Sequence, residues 1–174
     1  MSASSSSLAL PDGWASGGRI DGWREFSERV SSVLSWAADK ALDLTMSDAD
    51  FHAWPLGERA VVSALDAWAL AHTGTTLHML LASGDVLGRV HPRWVSWRQT
   101  HGHRVHAALA PDEFVEQVPT MLLLGDVLGL RMLDTRLGAG VWSSDRATLH
   151  AWREGVDVIL QRSTCSLPVT TLGL

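Results

Sequence analysis

The sequence predicts an α/β fold in which a mixed β-sheet carries helices on both faces. Segments with apolar residues at helical spacing alternate with strand-length apolar runs, a pattern that builds sheets sandwiched by helices. The run from Thr75 to Ser83 is nearly continuously apolar, which suits a strand covered on both faces. Further on, two apolar runs flank a Gly-Asp pair, which reads as an antiparallel hairpin added to the same sheet.

Residues 1–20, rich in Ser and Gly and including Pro11, read as a disordered tail and loop. From 21 to 40, Trp23, Phe26, Val30, Val33, Leu34 and Ala37 share one face of a helix, with Asp21 as its N-cap. Leu42, Leu44 and Met46 then alternate with Asp43, Thr45 and Ser47, the period of a strand. A second helix runs through Leu56, Ala60, Ala64, Ala67 and Trp68 and ends at Gly74, a C-cap residue. After the strand at 75–83, "GDVLGRV" reads as a short helical turn. "HPRWVSWRQTH" follows as a helix with Pro92 in its first turn, where the missing N–H costs nothing. "RVHAALA" is a strand broken by Pro111 and Asp112, and "DEFVEQV" a short helix or irregular link. "TMLLLGDVLGLRMLDT" is the hairpin, turning near Gly125 and Asp126. The last helix, capped by Ser144 or Asp145, buries Leu149, Trp152, Val156, Ile159 and Leu160. Residues 163–174 read as a tail that Pro168 keeps out of any helix.

At 174 residues, the chain is long enough for one domain with a real core. Its net charge of −5 argues against a nucleic-acid partner, since such proteins usually carry a basic excess. Lys40 is the single lysine and Cys165 the single cysteine, so no internal disulfide forms. No apolar run approaches the roughly 20 residues of a membrane span, and the opening "MSASSSSLAL" lacks the pattern of a secretory signal. The expectation is a cytoplasmic protein with no membrane partner. No Walker loop, dinucleotide fingerprint or nucleophile elbow is present, so no cofactor is predicted. Nine tryptophans and no tyrosine are spread through nearly every element; they supply core packing or, where exposed, an interface.

The order of elements, together with "WPLGERAVVSALDAWA", "LHMLLAS", the 91–107 segment and the hairpin, resembles one lobe of the phospholipase D superfamily from about Ala41 to Arg162. The family signature is His, any residue, Lys, an Asp five positions later, then a Gly-Ser in the following strand. Against it, Pro119 stands where the His belongs and Met121 where the Lys belongs; Asp126 keeps the Asp spacing, and Leu133 and Asp134 replace the small pair. In that family the histidine attacks phosphorus and the lysine binds the phosphate oxygens. Proline and methionine can do neither. The resemblance therefore implies a degenerate bacterial lobe without catalytic residues, which leans against an enzyme. Residues 21–40 would be a helix packed on the domain at 41–162. Because family lobes pair about a two-fold axis near this hairpin, and because the hairpin is apolar on both faces, a homodimer through it is also expected.

The densest functional candidate is "HPRWVSWRQTHGHRVHA", 91–107, with four of the chain's eight histidines. Arg93, Arg98 and Arg104 could grip a phosphate-bearing ligand with forked donors, helped by His101 and His103. On that reading the chain is a phosphate-handling hydrolase or transferase. Against it, the stretch follows a helix C-terminus, whose dipole favours cations. A metal site at His101 and His103 lacks further local ligands. The ordinary reading is a helix running into a strand, with Val90, Trp94 and Trp97 inward and the arginines outside. If His101, His103 and Arg104 converge in a concave pocket the enzyme reading gains; if they fan out over a flat surface it loses to a non-catalytic binding or assembly module.

Overall fold

The computed structural model of the chain describes residues 8–14 and 16–166. The predicted disorder over 1–7 and the tail with Pro168 lie outside the described residues. In chain order the elements are β1 (Gly17–Asp21), α1 (Trp23–Ala37), β2 (Leu44–Asp48), α2 (Arg59–Ala71), β3 (Leu77–Leu81), α3 (Leu87–Val90), α4 (Pro92–His101), β4 (Val105–Leu109), β5 (Thr120–Leu124), β6 (Leu128–Asp134), β7 (Ala139–Ser143), α5 (Arg146–Leu160) and β8 (Thr164–Ser166). One 3₁₀ turn joins α4 to β4, and another spans Asp112–Gln117.

All eight strands form one sheet in the order β1-β7-β6-β5-β2-β3-β4-β8. β2, β3 and β4 are parallel, as helical crossovers require. Every other pairing is antiparallel. The fold is α/β with a mixed sheet and helices on both faces.

Strand parity divides the core in two. Leu44, Met46, Leu77, Met79, Leu81, Val105, Leu122 and Leu124 point to one face and pack with α1, α2 and α4 in the larger cluster, around the fully buried Trp68 and Trp94. Leu80, Met121 and Leu123 point to the other face, where α5 lays down Leu149, Val156 and Ile159. Asp145 caps α5 by accepting the Thr148 N–H at 2.9 Å.

Several expectations change. Residues 17–21 are not tail but an edge strand paired with β7, a strand the periodicity does not reveal. Residues 164–166 likewise form a strand beside β4. Asp21 does not cap α1; Glu25 reaches back and accepts the Asp21 N–H at 2.8 Å. Gly74 does not cap α2, whose last residue is Ala71 and whose C-cap is His72. Of the two grounds for expecting a homodimer, the uncovered apolar hairpin face is not met. Met121 and Leu123 are fully buried beneath α5, while Leu122 and Leu124 are fully buried in the opposite layer.

α5 sits close because Gly129 on β6 has no side chain. A Cβ there would lie 2.7 Å from Leu149 Cδ2 and 2.8 Å from Leu123 Cδ2. Gly129→Ala is expected to push α5 off the sheet and destabilise the chain by about 1–3 kcal/mol, measured as a lowered urea midpoint. An unchanged midpoint would mean that the seam is looser than described.

Candidate functional site

The degenerate motif is tied to the end of β2 by hydrogen bonds from Ser47 and to Asp48. Pro119 precedes β5, and its carbonyl accepts the Ser47 hydroxyl. Thr120 donates its hydroxyl to the Asp48 carboxylate. The other carboxylate oxygen accepts the N–H of Phe51 at 2.7 Å and of Asp50 at 3.2 Å. Asp48 is 5% exposed and holds this turn together. Phe51 sits in the left-handed region at φ 61°, and its carbonyl accepts the His91 Nε2–H at 2.7 Å. Asp126 is exposed in the hairpin turn, 3.4 Å from Arg146.

The five residues picked out between 91 and 104 do not face a common space. Arg93 is exposed and donates to the Gly57 carbonyl at 2.9 Å. Arg98 is buried beside Trp94, its guanidinium 5.9 Å from the ring centre, and burial lowers its pKa. His101 pairs with Asp66 at 2.8 Å. His103 is exposed on the 3₁₀ turn. Arg104 is buried under the end of α2, where it donates to the carbonyls of Ala69 and Thr75 at 2.7 Å each, to that of His72, and to the Thr75 hydroxyl. A guanidinium is well suited to this end of a helix, where orphan carbonyls and the macrodipole both favour a cation. Arg104 therefore does structural work away from any surface an anion could reach.

The chemistry that does converge lies on the opposite face of the sheet. Thr45, His78 and His106 are neighbours in register across β2, β3 and β4. α5 covers β5 and leaves this row at the wall of a cleft of about 470 Å³, also lined by Arg153, Asp157 and Gln161. The imidazoles of His78 and His106 stack with ring centres 5.4 Å apart and planes at 26°. Burial, and next the adjacent His106, hold the His78 pKa below its ordinary value; Asp43 and Asp157 pull it up, and Arg153 adds to the depression. Sequence reasoning passes over this pair, although a signal is there. Each histidine is the second residue of a five-residue strand, and parallel neighbours of like register bring such positions side by side. Among the described residues no group of three or more His, Cys, Asp or Glu side chains is placed to hold a metal ion, and no helix is long and apolar enough to cross a membrane.

This sheet order and its helical layers define a phospholipase D-like fold. TrmBL2, an archaeal chromatin protein, superposes with a TM-score of 0.61 at 15% identity over 90% of this chain and 56% of its own, so the chain spans little more than half of it. Nuc from Salmonella typhimurium, a phospholipase D family member, matches at TM-score 0.50 and 11% identity, over 85% of this chain and 97% of its own. NucT from Helicobacter pylori matches at 0.51 and 8%, with the same coverage. Identities this low bear on the fold alone. No protein-family model matches the chain, and no curated protein matches its sequence. The expectation that a nucleic-acid partner is unlikely does not stand. The TrmBL2 structure shows a novel mode of DNA binding on a chain sharing this fold, and a net charge of −5 describes the whole molecule, not the potential over one surface.

Proposed function

We propose that the chain is a non-catalytic binding module built on a phospholipase D-like fold. The carrying observation is the pair of motif positions. Pro119 and Met121 stand where a nucleophilic imidazole and a phosphate-binding ammonium are needed, and Met121 is fully buried beneath α5. Neither nucleophilic attack on phosphorus nor stabilisation of a developing oxyanion has a group to run through there. A phosphate-handling enzyme working through the 91–106 segment has little support, because His101 and Arg104 are already engaged by Asp66 and by the end of α2.

The purified protein is expected to show no turnover of bis-p-nitrophenyl phosphate, phospholipid or duplex DNA above a buffer control. Turnover abolished by His101→Ala or His103→Ala would overturn this reading in favour of the enzyme. A gel-shift titration with the same DNA, run alongside, tests whether the bound partner is a nucleic acid.

A further inference from the structure

We propose that the cleft between α5 and the β2–β3–β4 strands binds a small molecule carrying an oxyanion, a phosphate or carboxylate, beside a hydroxyl or ammonium donor. The inference rests on the binding-module reading and supplies its ligand class.

The cleft is polar where the fold calls for apolar. β3 reads Leu-His-Met-Leu-Leu, and its other four side chains are buried hydrophobics. An aliphatic residue at 78 would simply extend the layer that Leu80 and Leu123 form under α5. Instead His78 is half-buried and stacked on His106. Among the described residues neither imidazole has a hydrogen-bond partner, and neither does the hydroxyl of the buried Thr45 between them and β5. His106 is exposed and His78 half-buried, so their ring nitrogens and the Thr45 hydroxyl are available to a molecule seated in the cleft.

The charges complement a ligand of mixed character. Arg153 gives one N–H to the Gly125 carbonyl and lines the cleft with the rest of its fork. A planar fork beside two imidazole donors suits an oxyanion. One turn further along α5, Asp157 lines the same cleft and makes no ion pair among the described residues. A bare anion would meet that carboxylate unfavourably; a ligand whose hydroxyl or ammonium donates to it would not. The volume of about 470 Å³ lies in the range of small-molecule sites.

Calorimetric titration of the full-length protein at millimolar ligand tests this with four probes. Inorganic phosphate is the oxyanion alone, glycerol 3-phosphate and glycerate add hydroxyls to a phosphate and a carboxylate, and glycerol has no charge. At least one of the two hydroxylated anions is expected to bind saturably and more tightly than phosphate, with glycerol silent; the tighter of the two identifies the oxyanion. Arg153→Met and His78→Leu should each weaken that binding by about tenfold or more, the loss of a charge-assisted hydrogen bond. Arg93→Ala, on the far side of the sheet, should leave it unchanged. His78→Leu replaces a polar group in an apolar row, and circular dichroism checks that it folds. No saturable binding by either hydroxylated anion, or binding indifferent to both cleft variants, overturns the assignment while leaving the non-catalytic reading intact. Phosphodiesterase turnover would do the reverse.

Discussion

Replacing Arg104 by alanine is expected to destabilise the chain by about 3–5 kcal/mol, because several buried neutral acceptors lose a charged donor at once, at about 1–3 kcal/mol each before relaxation. The guanidinium is 5% exposed and serves four acceptors at once: the carbonyls of Ala69, His72 and Thr75 and the Thr75 hydroxyl. Those carbonyls belong to the last turn of α2 and the loop that leads into β3, so their loss of a donor falls where orphan C=O groups already accumulate. The guanidinium also lies 5.2 Å from the ring centre of Trp68, whose indole N–H donates to the Leu42 carbonyl at 2.9 Å. One side chain thus ties the end of α2 to the starts of β2, β3 and β4. Arg104→Lys should recover less than half of the loss, because an ammonium cannot present a planar fork to acceptors on two sides. Urea unfolding read at constant m-value measures both variants. A shift below about 1 kcal/mol for Arg104→Ala would mean that water replaces the guanidinium at little cost.

The residues whose neighbours lie close in sequence were legible; those defined by distant partners were not. The periods of β2 and α5, the apolar run of β3 and the hairpin at Gly125-Asp126 can be read because each pattern belongs to a single local segment. β1 and β7 escape that reading, since "SGGRI" and "GAGVWSS" carry too few apolar side chains to show a period. Their glycines mark close approach instead. At Gly18 a Cβ would lie 2.5 Å from the Trp142 indole nitrogen on the paired strand. Arg104 was visible as a cation but not as a cap, because its acceptors lie 29 to 35 residues earlier in the chain. The histidine-rich stretch stands out by density, yet its His106 is set by strand register beside His78, at the wall of a cleft. Local composition registers how many donors a segment has; topology decides which of them remain unspent.

Asp48→Ala is expected to cost about 3–4 kcal/mol and to loosen the turn that closes the degenerate motif. The buried carboxylate accepts from Phe51, Asp50 and Thr120 together, and each donor left behind in a dry site costs about 1–3 kcal/mol before relaxation. It also holds Phe51 in the left-handed region, a conformation that disfavours a bulky side chain by of order 1–3 kcal/mol. His91 holds the same residue through its carbonyl, in the following peptide unit. The acceptor is a carbonyl, so Nε2 must carry the proton in this bond. Asp48→Ala and His91→Ala should therefore be less than additive in a double-mutant cycle, because either change alone releases the Phe51 turn. The same histidine gives the turn a pH dependence. Burial lowers the His91 pKa from its ordinary 6.5, against the opposing pull of the Phe51 bond and with a small further push from His52. The unfolded chain then takes up the proton first, so stability is full above about pH 6.5 and declines as the pH falls from there toward the folded-state value. His78, lowered mainly by burial and by His106, adds to the decline with the same sign. The urea midpoint of the wild-type protein should drop between about pH 7.5 and pH 5.5, and His91→Ala should flatten part of that slope. A midpoint that rises over the same interval would show that His91 is held in its charged form, and would take the neutral imidazole out of the account of this turn.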